Sequence, residues 1–394
     1  MNRSNFVPQI PYGTKDLLPR EAKQKRIVEG ALAELFSCWG YDEVVTPTFE
    51  YMETMTLGTG NAIHEHVFKF FDKNNRTLAL RPDMTTPIAR VAATRFKERP
   101  LPLRLFYLTN VFRHEQAQAG RQCEFYQAGI ELLGAPGPAA DAEIIAIAVE
   151  AMLEAGLTNF QIGLGQVAFI NGIMAESGLN LLEQQKVKYA MVNRDLVGLG
   201  EILAESGLSQ PAQELLRQIP LLHGREDMLK EAYHLVNNAT SRAALDNLAD
   251  IYKLLKDYGV EQYVNFDLGI IRDLDYYTGM VFEGYTPGLG FPLCGGGRYD
   301  TMLESFGVAN PATGFALGIE RILLALERQG IGVSVQGKDV YIAWAEEKLT
   351  DAIKAAKDYR KAGRRAELAL EASSKGAAQA AAKEQGYEEL IYIE

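Results

Sequence analysis

A change in the spacing of apolar residues divides this chain into segments of different fold. Before residue 165 and after residue 265, short runs of valine, threonine and aromatic residues are typical of β-strands. Between Gln166 and Tyr258, leucines instead recur at helical spacing, as in Glu201–Leu208 and Ala243–Leu255. The pattern predicts an α+β domain in which a sheet flanked by helices is interrupted by a helical insertion.

The same reasoning places individual elements along the chain. The predicted helices of the sheet domain lie at 21–39, 139–155 and 316–328. Its predicted strands lie at 41–49, 67–71, 77–80, 103–109, 125–133, 265–268 and 279–284. A glycine-rich stretch at 330–337 reads as a linker, after which strands at 340–345, 366–370 and 390–393 alternate with helices at 348–362 and 374–385.

These elements predict three structural regions. With 394 residues, the chain is too long for one ordinary hydrophobic core. We expect a sheet domain built from residues 1–165 and 260–329, a helical insertion at 166–259, and a small α/β domain at 338–394. The last region ends as its third strand begins, so we expect a truncated domain.

Composition narrows the function classes. The formal net charge of −11 disfavours nucleic-acid binding without a local basic patch, and the tail beyond Gln336 carries ten basic against eleven acidic residues. The three cysteines are widely spaced and odd in number, so we expect reduced thiols rather than disulfides. No apolar run of about 18 residues and no amino-terminal signal pattern is present, so we expect a cytoplasmic protein. His64 and His66 lack a third nearby ligand, and no metal site is predicted.

A dense polar run indicates where a ligand binds. Arg272–Gly279 contains a guanidinium, two carboxylates and two phenols within eight residues. Buried polar atoms need partners, so such a run is poor core material and instead suggests the wall of a pocket for a small polar molecule. Gln127 and Glu131 alternate on one face of a predicted strand, so both can point into one cavity.

The run Arg272–Gly279 and the downstream Gly295–Asp300 resemble the two histidine-recognition signatures of histidyl-tRNA synthetases. By that resemblance, Asp83, Thr85 and Gln127 would hold the α-amino group of histidine, and Glu131 would lie near the imidazole. Arg272 would lie near the ligand carboxylate, while Tyr277 and Tyr299 would enclose the imidazole. The predicted histidine-binding set is Asp83, Thr85, Arg113, Gln127, Glu131, Arg272, Tyr276, Tyr277 and Tyr299.

Two further arginines resemble conserved motifs of class II aminoacyl-tRNA synthetases. Arg113 follows a predicted strand, as in motif 2, and Arg321 lies at the start of a predicted helix, as in motif 3. The strand containing Pro47 resembles motif 1, the dimer element. Guanidinium groups suit phosphate, so Arg113, Arg121 and Arg321 are predicted to form a residual phosphate- or nucleotide-binding set. The resemblance implies an antiparallel class II synthetase-like sheet.

Several departures separate the chain from a working synthetase. Asp83 and Met84 replace the Glu-Gly of the family's Arg-Pro-Glu-Gly-Thr segment, and Gln116 and Cys123 stand where synthetases usually carry arginines. The 338–394 region resembles the first half of an anticodon-binding domain. Together these features resemble the ATP phosphoribosyltransferase regulatory subunits, which are paralogues of the synthetases.

That resemblance implies a non-catalytic subunit of the first step of histidine biosynthesis. It would form a dimer and assemble with a short-form catalytic subunit, where the chemistry resides, and it would bind L-histidine. No cofactor, tRNA or membrane is implied. An active histidyl-tRNA synthetase remains an alternative, because Arg113, Glu115, Arg121, Arg272 and Arg321 are all retained. A stand-alone histidine sensor remains a third possibility.

Overall fold

The fold was analysed in a computed structural model. It describes residues 8–59, 66–114, 122–270, 276–334 and 337–394. The chain divides into two compact units, Met1–Gly332 and Val333–Glu394. The finer division of the first unit into a sheet domain and an insertion at 166–259 stays a prediction.

Helices and strands follow one another irregularly along the first unit and alternate one by one along the second. The helices are α1 (Pro19–Cys38), α2 (Met52–Thr59), α3 (Thr85–Thr94), α4 (Pro138–Glu154), α5 (Val167–Ser177), α6 (Leu181–Val192), α7 (Leu196–Glu205), α8 (Gln210–Gln218), α9 (Glu226–Leu235), α10 (Ala239–Asp257), α11 (Ile319–Arg328), α12 (Leu349–Lys361) and α13 (Lys375–Glu384). The strands are β1 (Asp42–Glu43), β2 (Phe49–Tyr51), β3 (Lys69–Phe71), β4 (Thr77–Leu80), β5 (Leu103–Phe112), β6 (Glu124–Leu133), β7 (Gln161–Gln166), β8 (His223–Gly224), β9 (Val264–Asp267), β10 (Met280–Tyr285), β11 (Cys294–Arg298), β12 (Ala312–Gly318), β13 (Lys338–Trp344), β14 (Ala366–Leu368) and β15 (Tyr387–Ile393).

A large sheet forms the centre of the first unit. Across the described residues it has nine strands in the order β1-β5-β6-β12-β11-β10-β7-β9-β8. Neighbouring strands are antiparallel except for the parallel pairs β1·β5 and β7·β9. Helix α4 is buried along most of its length, which matches its nearly continuous apolar sequence. The predicted α+β class with a largely antiparallel sheet is confirmed.

The strand pair β5·β6 fixes which side chains face the pocket side of the sheet. Each strand has ten residues, and the register places Leu105 opposite Glu131 and Tyr107 opposite Gly129. Successive side chains of a strand point to opposite faces. Gln127 and Glu131 therefore share one face of β6, as the sequence predicted, and Tyr126 faces the other.

A small three-stranded sheet, β2-β4-β3, accompanies the large one. The predicted strand at 41–49 is wrong for residues 44–48, which lie between β1 and β2. The Arg81 guanidinium donates to the carbonyls of Thr46 and Pro47 at 3.0 and 3.2 Å, so these carbonyls bond to a side chain instead of a neighbouring strand. Pro47 also lacks an N–H for a strand ladder.

The predicted start of the helix at 316–328 is also wrong. Ala316, Leu317 and Gly318 belong to β12 and pair with Gly129, Ala128 and Gln127 of β6. The helix begins only at Ile319. Helical spacing of apolar residues cannot mark this boundary, because a buried strand is apolar on both of its faces.

Helices α5 to α10 lie within the predicted insertion at 166–259. Several begin at residues whose side chains accept a backbone N–H: Asn180 from Glu183, Asp195 from Gly198, and Asn238 from Ser241. Such caps satisfy donors that the first turn of a helix leaves without partners. Local sequence therefore fixes these helix starts.

The second unit contains a parallel three-stranded sheet in the order β14-β13-β15 with helices α12 and α13. Its core is formed by Val340, Ile342 and alanines of both helices. Within the described residues of the whole chain, no helix is long and apolar enough to cross a membrane.

Candidate functional site

One cavity on the pocket side of the sheet gathers most of the predicted ligand-binding residues. It has a volume of about 90 Å³, which is the volume that about three water molecules take up in the liquid. The predicted residues that line it are Asp83, Thr85, Arg113, Gln127, Glu131, Tyr276, Tyr277, Tyr299 and Arg321. Arg272 and Arg121 lie outside the described residues. Sequence reasoning missed Tyr107, Phe125 and Gly314, which also line the cavity.

The connection between β4 and α3 carries the first wall. Arg81 is 2% exposed and bonds to the backbone carbonyls of Thr46, Pro47 and Asn110, which fixes the chain just before Asp83. Met84 is buried in the core with Ile88 and does not line the cavity. Asp83 and Thr85, on either side of Met84, do line it.

Glu131 is the centre of the polar network. Its carboxylate accepts a hydrogen bond from the Thr85 hydroxyl at 3.1 Å and a short one from the Tyr299 hydroxyl. The residue is only 2% exposed. Burial raises the pKa of Glu131 to about 8, while the two hydrogen bonds act in the opposite direction. Near neutral pH this carboxyl is therefore largely protonated.

A second buried carboxyl lies close by. Burial is the largest cause that raises the pKa of Asp83, and the positive charge of Arg113 partly offsets it. The Asp83 charge in turn raises the pKa of Glu131. Two buried acids that line one cavity favour a ligand that brings a positive charge.

Aromatic rings also line the cavity. The Tyr276 and Tyr277 rings lie 4.6 Å apart between centroids, and Tyr276 packs edge-on to Tyr299 at 5.8 Å. Tyr299 is 2% exposed, and burial raises its pKa well above the usual value, so its hydroxyl stays a donor. Phenols around a small cavity suit a planar ring that carries hydrogen-bonding nitrogens.

Gln127 carries a polar atom that no described residue satisfies. Its Oε1 atom is buried and has no hydrogen-bond partner within the described residues, although the residue lines the cavity. A buried acceptor without a partner costs about 1–3 kcal/mol. A ligand that donates a hydrogen bond here would recover that energy.

The two motif arginines lie at the edges of the cavity. Arg113 donates from Nε to the Pro82 carbonyl at 2.9 Å and lies over the Phe125 ring. Arg321 donates to the Pro292 carbonyl at 2.7 Å and lies over the Phe291 ring. Both side chains are thus held in place by backbone and ring contacts, and both line the same cavity.

Glycines form part of the floor. A Cβ atom at Gly314 would overlap the Glu131 carboxylate, and one at Gly129 would overlap the Tyr107 hydroxyl. Side chains in these places would occupy the space of the polar network. The alternation of β5 and β6 could have predicted Tyr107 and Phe125, since they share the face of Gln127 and Glu131.

No metal centre emerges from the described part of the chain. Within it, no group of three or more His, Cys, Asp or Glu side chains is placed to hold a metal ion.

The fold and the pocket define a class II synthetase-like protein of the histidyl-tRNA synthetase type. The family model described as histidyl-tRNA synthetase matches residues 13–322. A histidyl-tRNA synthetase structure from Nostoc sp. superposes with a TM-score of 0.83 over 97% of this chain and 90% of that chain, at 21% identity, and so shows the fold alone.

Relatives with higher sequence identity show which family of synthetase-like proteins the chain belongs to. The ATP phosphoribosyltransferase regulatory subunit of Desulforamulus reducens is 43% identical over 100% of this chain and 98% of its own length. That of Moorella thermoacetica is 48% identical over 82% of this chain and 83% of its length. A Bacillus halodurans structure, described as an ATP phosphoribosyltransferase regulatory subunit/histidyl-tRNA synthetase, is 34% identical with a TM-score of 0.89 and covers 99% of this chain and 100% of that one. The chain belongs to the family of ATP phosphoribosyltransferase regulatory subunits.

Proposed function

We propose that this chain is the non-catalytic regulatory subunit of ATP phosphoribosyltransferase, the first step of histidine biosynthesis, and that it works in the cytoplasm. The full-length similarity to the Desulforamulus reducens regulatory subunit is the observation that carries this proposal. In this proposal the condensation of ATP with phosphoribosyl pyrophosphate takes place in a short-form catalytic partner. The present chain is required for the activity of that partner and for its response to histidine.

The cavity lined by Gln127 and Glu131 is the proposed histidine sensor. The buried Asp83 carboxyl suits the α-ammonium group, and the Gln127 Oε1, which no described residue satisfies, can accept from the same group. Glu131 and the phenols of Tyr277 and Tyr299 suit the imidazole, and Arg272 is the proposed partner of the ligand carboxylate. Histidine would alter the partner's activity only by binding two arrangements of this subunit with different affinity.

An active histidyl-tRNA synthetase is the second candidate. The specific observation in its favour is that Arg113 and Arg321 both line the pocket beside the proposed histidine site. In a synthetase these arginines would hold the phosphates of ATP. The two candidates differ in whether the purified chain itself activates histidine.

Self-association through the small sheet is the third part of the proposal. Phe49 and Phe70 flank β4, contact each other edge-on at 5.8 Å, and are 50% and 38% exposed. Glu50, the middle residue of β2, points to the other face of the small sheet. Its carboxylate forms an ion pair with the Arg90 guanidinium there, at 2.6 Å. The side carrying Phe49 and Phe70 therefore presents aromatic surface that a second copy would cover.

The central experiment reconstitutes the chain with a short-form ATP phosphoribosyltransferase subunit. We expect the catalytic subunit to gain activity on addition of this chain, and histidine to inhibit the assembled complex. Gln127→Leu should weaken inhibition by histidine while leaving activation by the chain intact. Failure of the chain to raise the partner's activity would refute the regulatory role, and histidine-dependent exchange of pyrophosphate into ATP by the chain alone would support the synthetase.

The dimer is tested separately. Phe49→Asp should shift the chain to a monomer in size-exclusion chromatography with light scattering, because it places a charge in the proposed interface. Ile353→Asp, an equally drastic change at a residue of the second unit that is 44% exposed, is the control. An unchanged mass for Phe49→Asp would exclude this face as the interface.

A further inference from the structure

A second cavity lies on the reverse face of the large sheet, between α1 and the start of β6. Its volume is about 330 Å³, larger than the pocket on the front and within the range of about 300–1,000 Å³ typical of small-molecule sites. Glu124 and Tyr126 of β6 line it, and they point away from the face that carries Gln127. One strand therefore separates two cavities.

The wall formed by α1 and the segment before it is rich in hydrogen-bond donors. Lys15, Lys25 and Arg26 all line the cavity. Lys25 is 8% exposed; its Nζ atom lies 2.5 Å from the Glu29 carboxylate and 3.6 Å from the centroid of the Tyr126 ring. A lysine ammonium has three N–H donors, so one ion pair leaves donors to spare. The buried Lys25 thus gives this wall a fixed cationic group.

The other two cations are held less tightly. Lys15 pairs with Glu21 at 2.5 Å, and Arg26 approaches Glu29 at 3.3 Å. Their side chains are 48% and 82% exposed. Solvent-exposed ion pairs contribute about 0–1 kcal/mol, so both groups can turn towards a bound anion at small cost. Asp16 also lies on this side of the cavity.

The residues that β6 and α11 contribute to the cavity are rich in acceptors. Both Glu320 oxygens accept the backbone N–H of Tyr126 at 3.0 Å, which ties α11 to β6. Glu124 accepts from the Asn110 amide at 2.8 Å, and Gln122 lies beside it. Each carboxylate has about four lone-pair positions, so these bonds leave acceptors that can take a hydroxyl hydrogen.

We propose that this cavity binds a small phosphorylated polyol, with its phosphate on the side of Lys15, Lys25 and Arg26 and its hydroxyl groups on the side of Glu124 and Glu320. A phosphate monoester carries about −1.5 to −2 charges and three strong acceptor oxygens, which matches donors from three cationic side chains. An amino-acid carboxylate has only two oxygens for the same wall. The hydroxyl groups supply the donors that the acidic wall lacks.

Ribose 5-phosphate is the probe, and the purified full-length chain is titrated with it by calorimetry at low ionic strength. We expect saturable binding that persists when histidine is present in excess. The double variant Lys15→Ala/Arg26→Ala should weaken it about tenfold or more, because two charge-assisted hydrogen bonds are lost. Lys25 is left intact, since its removal would strand the buried Glu29 charge.

The matched control is Arg20→Ala/Lys23→Ala, which removes the same charge from exposed positions of α1 outside the cavity. The affinity of this control variant for ribose 5-phosphate should stay within about twofold of that of the parent, as expected for screened surface charges. Hydrogen exchange should show protection in α1 and at 122–126 when ribose 5-phosphate is bound, with none in α3.

Three results would overturn the proposal: no saturable binding by the parent chain, equal weakening in the control variant, or protection confined to α3 and the front pocket. Displacement of ribose 5-phosphate by glycine or another zwitterion would also count against it, since it would assign the cavity to amino acids. The experiment needs no catalytic partner, so its failure leaves the proposed regulatory function untouched.

Discussion

The ionisation of Glu131 should make the stability of this protein fall as the pH rises from acid to neutral. The carboxyl has an ordinary pKa of 4.5 when exposed in the unfolded chain and a pKa of about 8 in the folded one. Between these values the folded state binds the proton more tightly, so raising the pH removes stability. Each pKa unit corresponds to about 1.36 kcal/mol of unfolding free energy. Between pH 4.5 and about pH 7 the unfolded chain loses its proton while the folded chain largely keeps it, so the free energy of unfolding falls by about 3 kcal/mol.

Glu131→Gln removes this dependence while keeping the shape of the side chain. The amide carbonyl can still accept from Tyr299, which now donates to Glu131. The free energy of unfolding should therefore be similar in parent and variant at about pH 5, and the variant should become more stable by about 3 kcal/mol near pH 7. Asp83 is present in both proteins, so its own titration largely cancels in the difference.

Urea unfolding followed by circular dichroism at several pH values provides the measurement. Glu304→Gln, which changes an exposed glutamate outside the pocket, is the control and should track the parent at every pH. If the difference between parent and Glu131→Gln stays constant from about pH 5 to pH 8, the burial argument for this carboxyl is wrong.

Three further outcomes follow from the structure, two at the pocket and one at a buried ion pair elsewhere in the first unit. Histidine binding near pH 7 should release about one proton, because positive charge on the ligand favours ionised Glu131. Calorimetry in buffers of different ionisation enthalpy measures the number of protons released, and a release unchanged in Glu131→Gln would contradict this assignment. Gly314→Ala should abolish histidine binding measured by calorimetry, because the added methyl group overlaps the Glu131 carboxylate. Undiminished affinity would show that β12 does not form the floor of the histidine pocket. Asp141→Asn should lower the free energy of unfolding by about 3 kcal/mol, because the Arg298 guanidinium loses its buried counter-charge. The two groups lie 2.8 Å apart, and the Arg298 side chain is 8% exposed. A loss within about 0.5 kcal/mol would mean that Asp300 and the nearby carbonyls are enough to stabilise the Arg298 charge.

The pocket side of β6 was predictable from sequence because strand alternation is a local property. Gln127 and Glu131 are four residues apart, and no knowledge of the rest of the sheet is needed to place them on one face. The strands at 67–71 and 77–80 were predictable from short runs of residues that favour strands, and the structure pairs β3 with β4 there.

Other parts of the site depend on contacts between distant segments. The strand β11 is rich in glycine, so it lacks the residue types that mark a strand, and it forms because β10 and β12 flank it. The break between β1 and β2 depends on Arg81, more than thirty residues away from Thr46 and Pro47 in the chain. The raised pKa of Glu131 depends on burial by several elements at once. None of these features is encoded within a short window of sequence.

The glycines beneath the pocket make its polar network sensitive to very small substitutions. The Glu131 carboxylate leaves no room for a methyl group at Gly314, and the Tyr107 hydroxyl and the Phe315 carbonyl leave none at Gly129. An alanine at either position would therefore displace a polar group of the site or the neighbouring strand. Among natural variants of this protein, we expect an alanine or serine at either glycine to mark a chain that has lost this pocket.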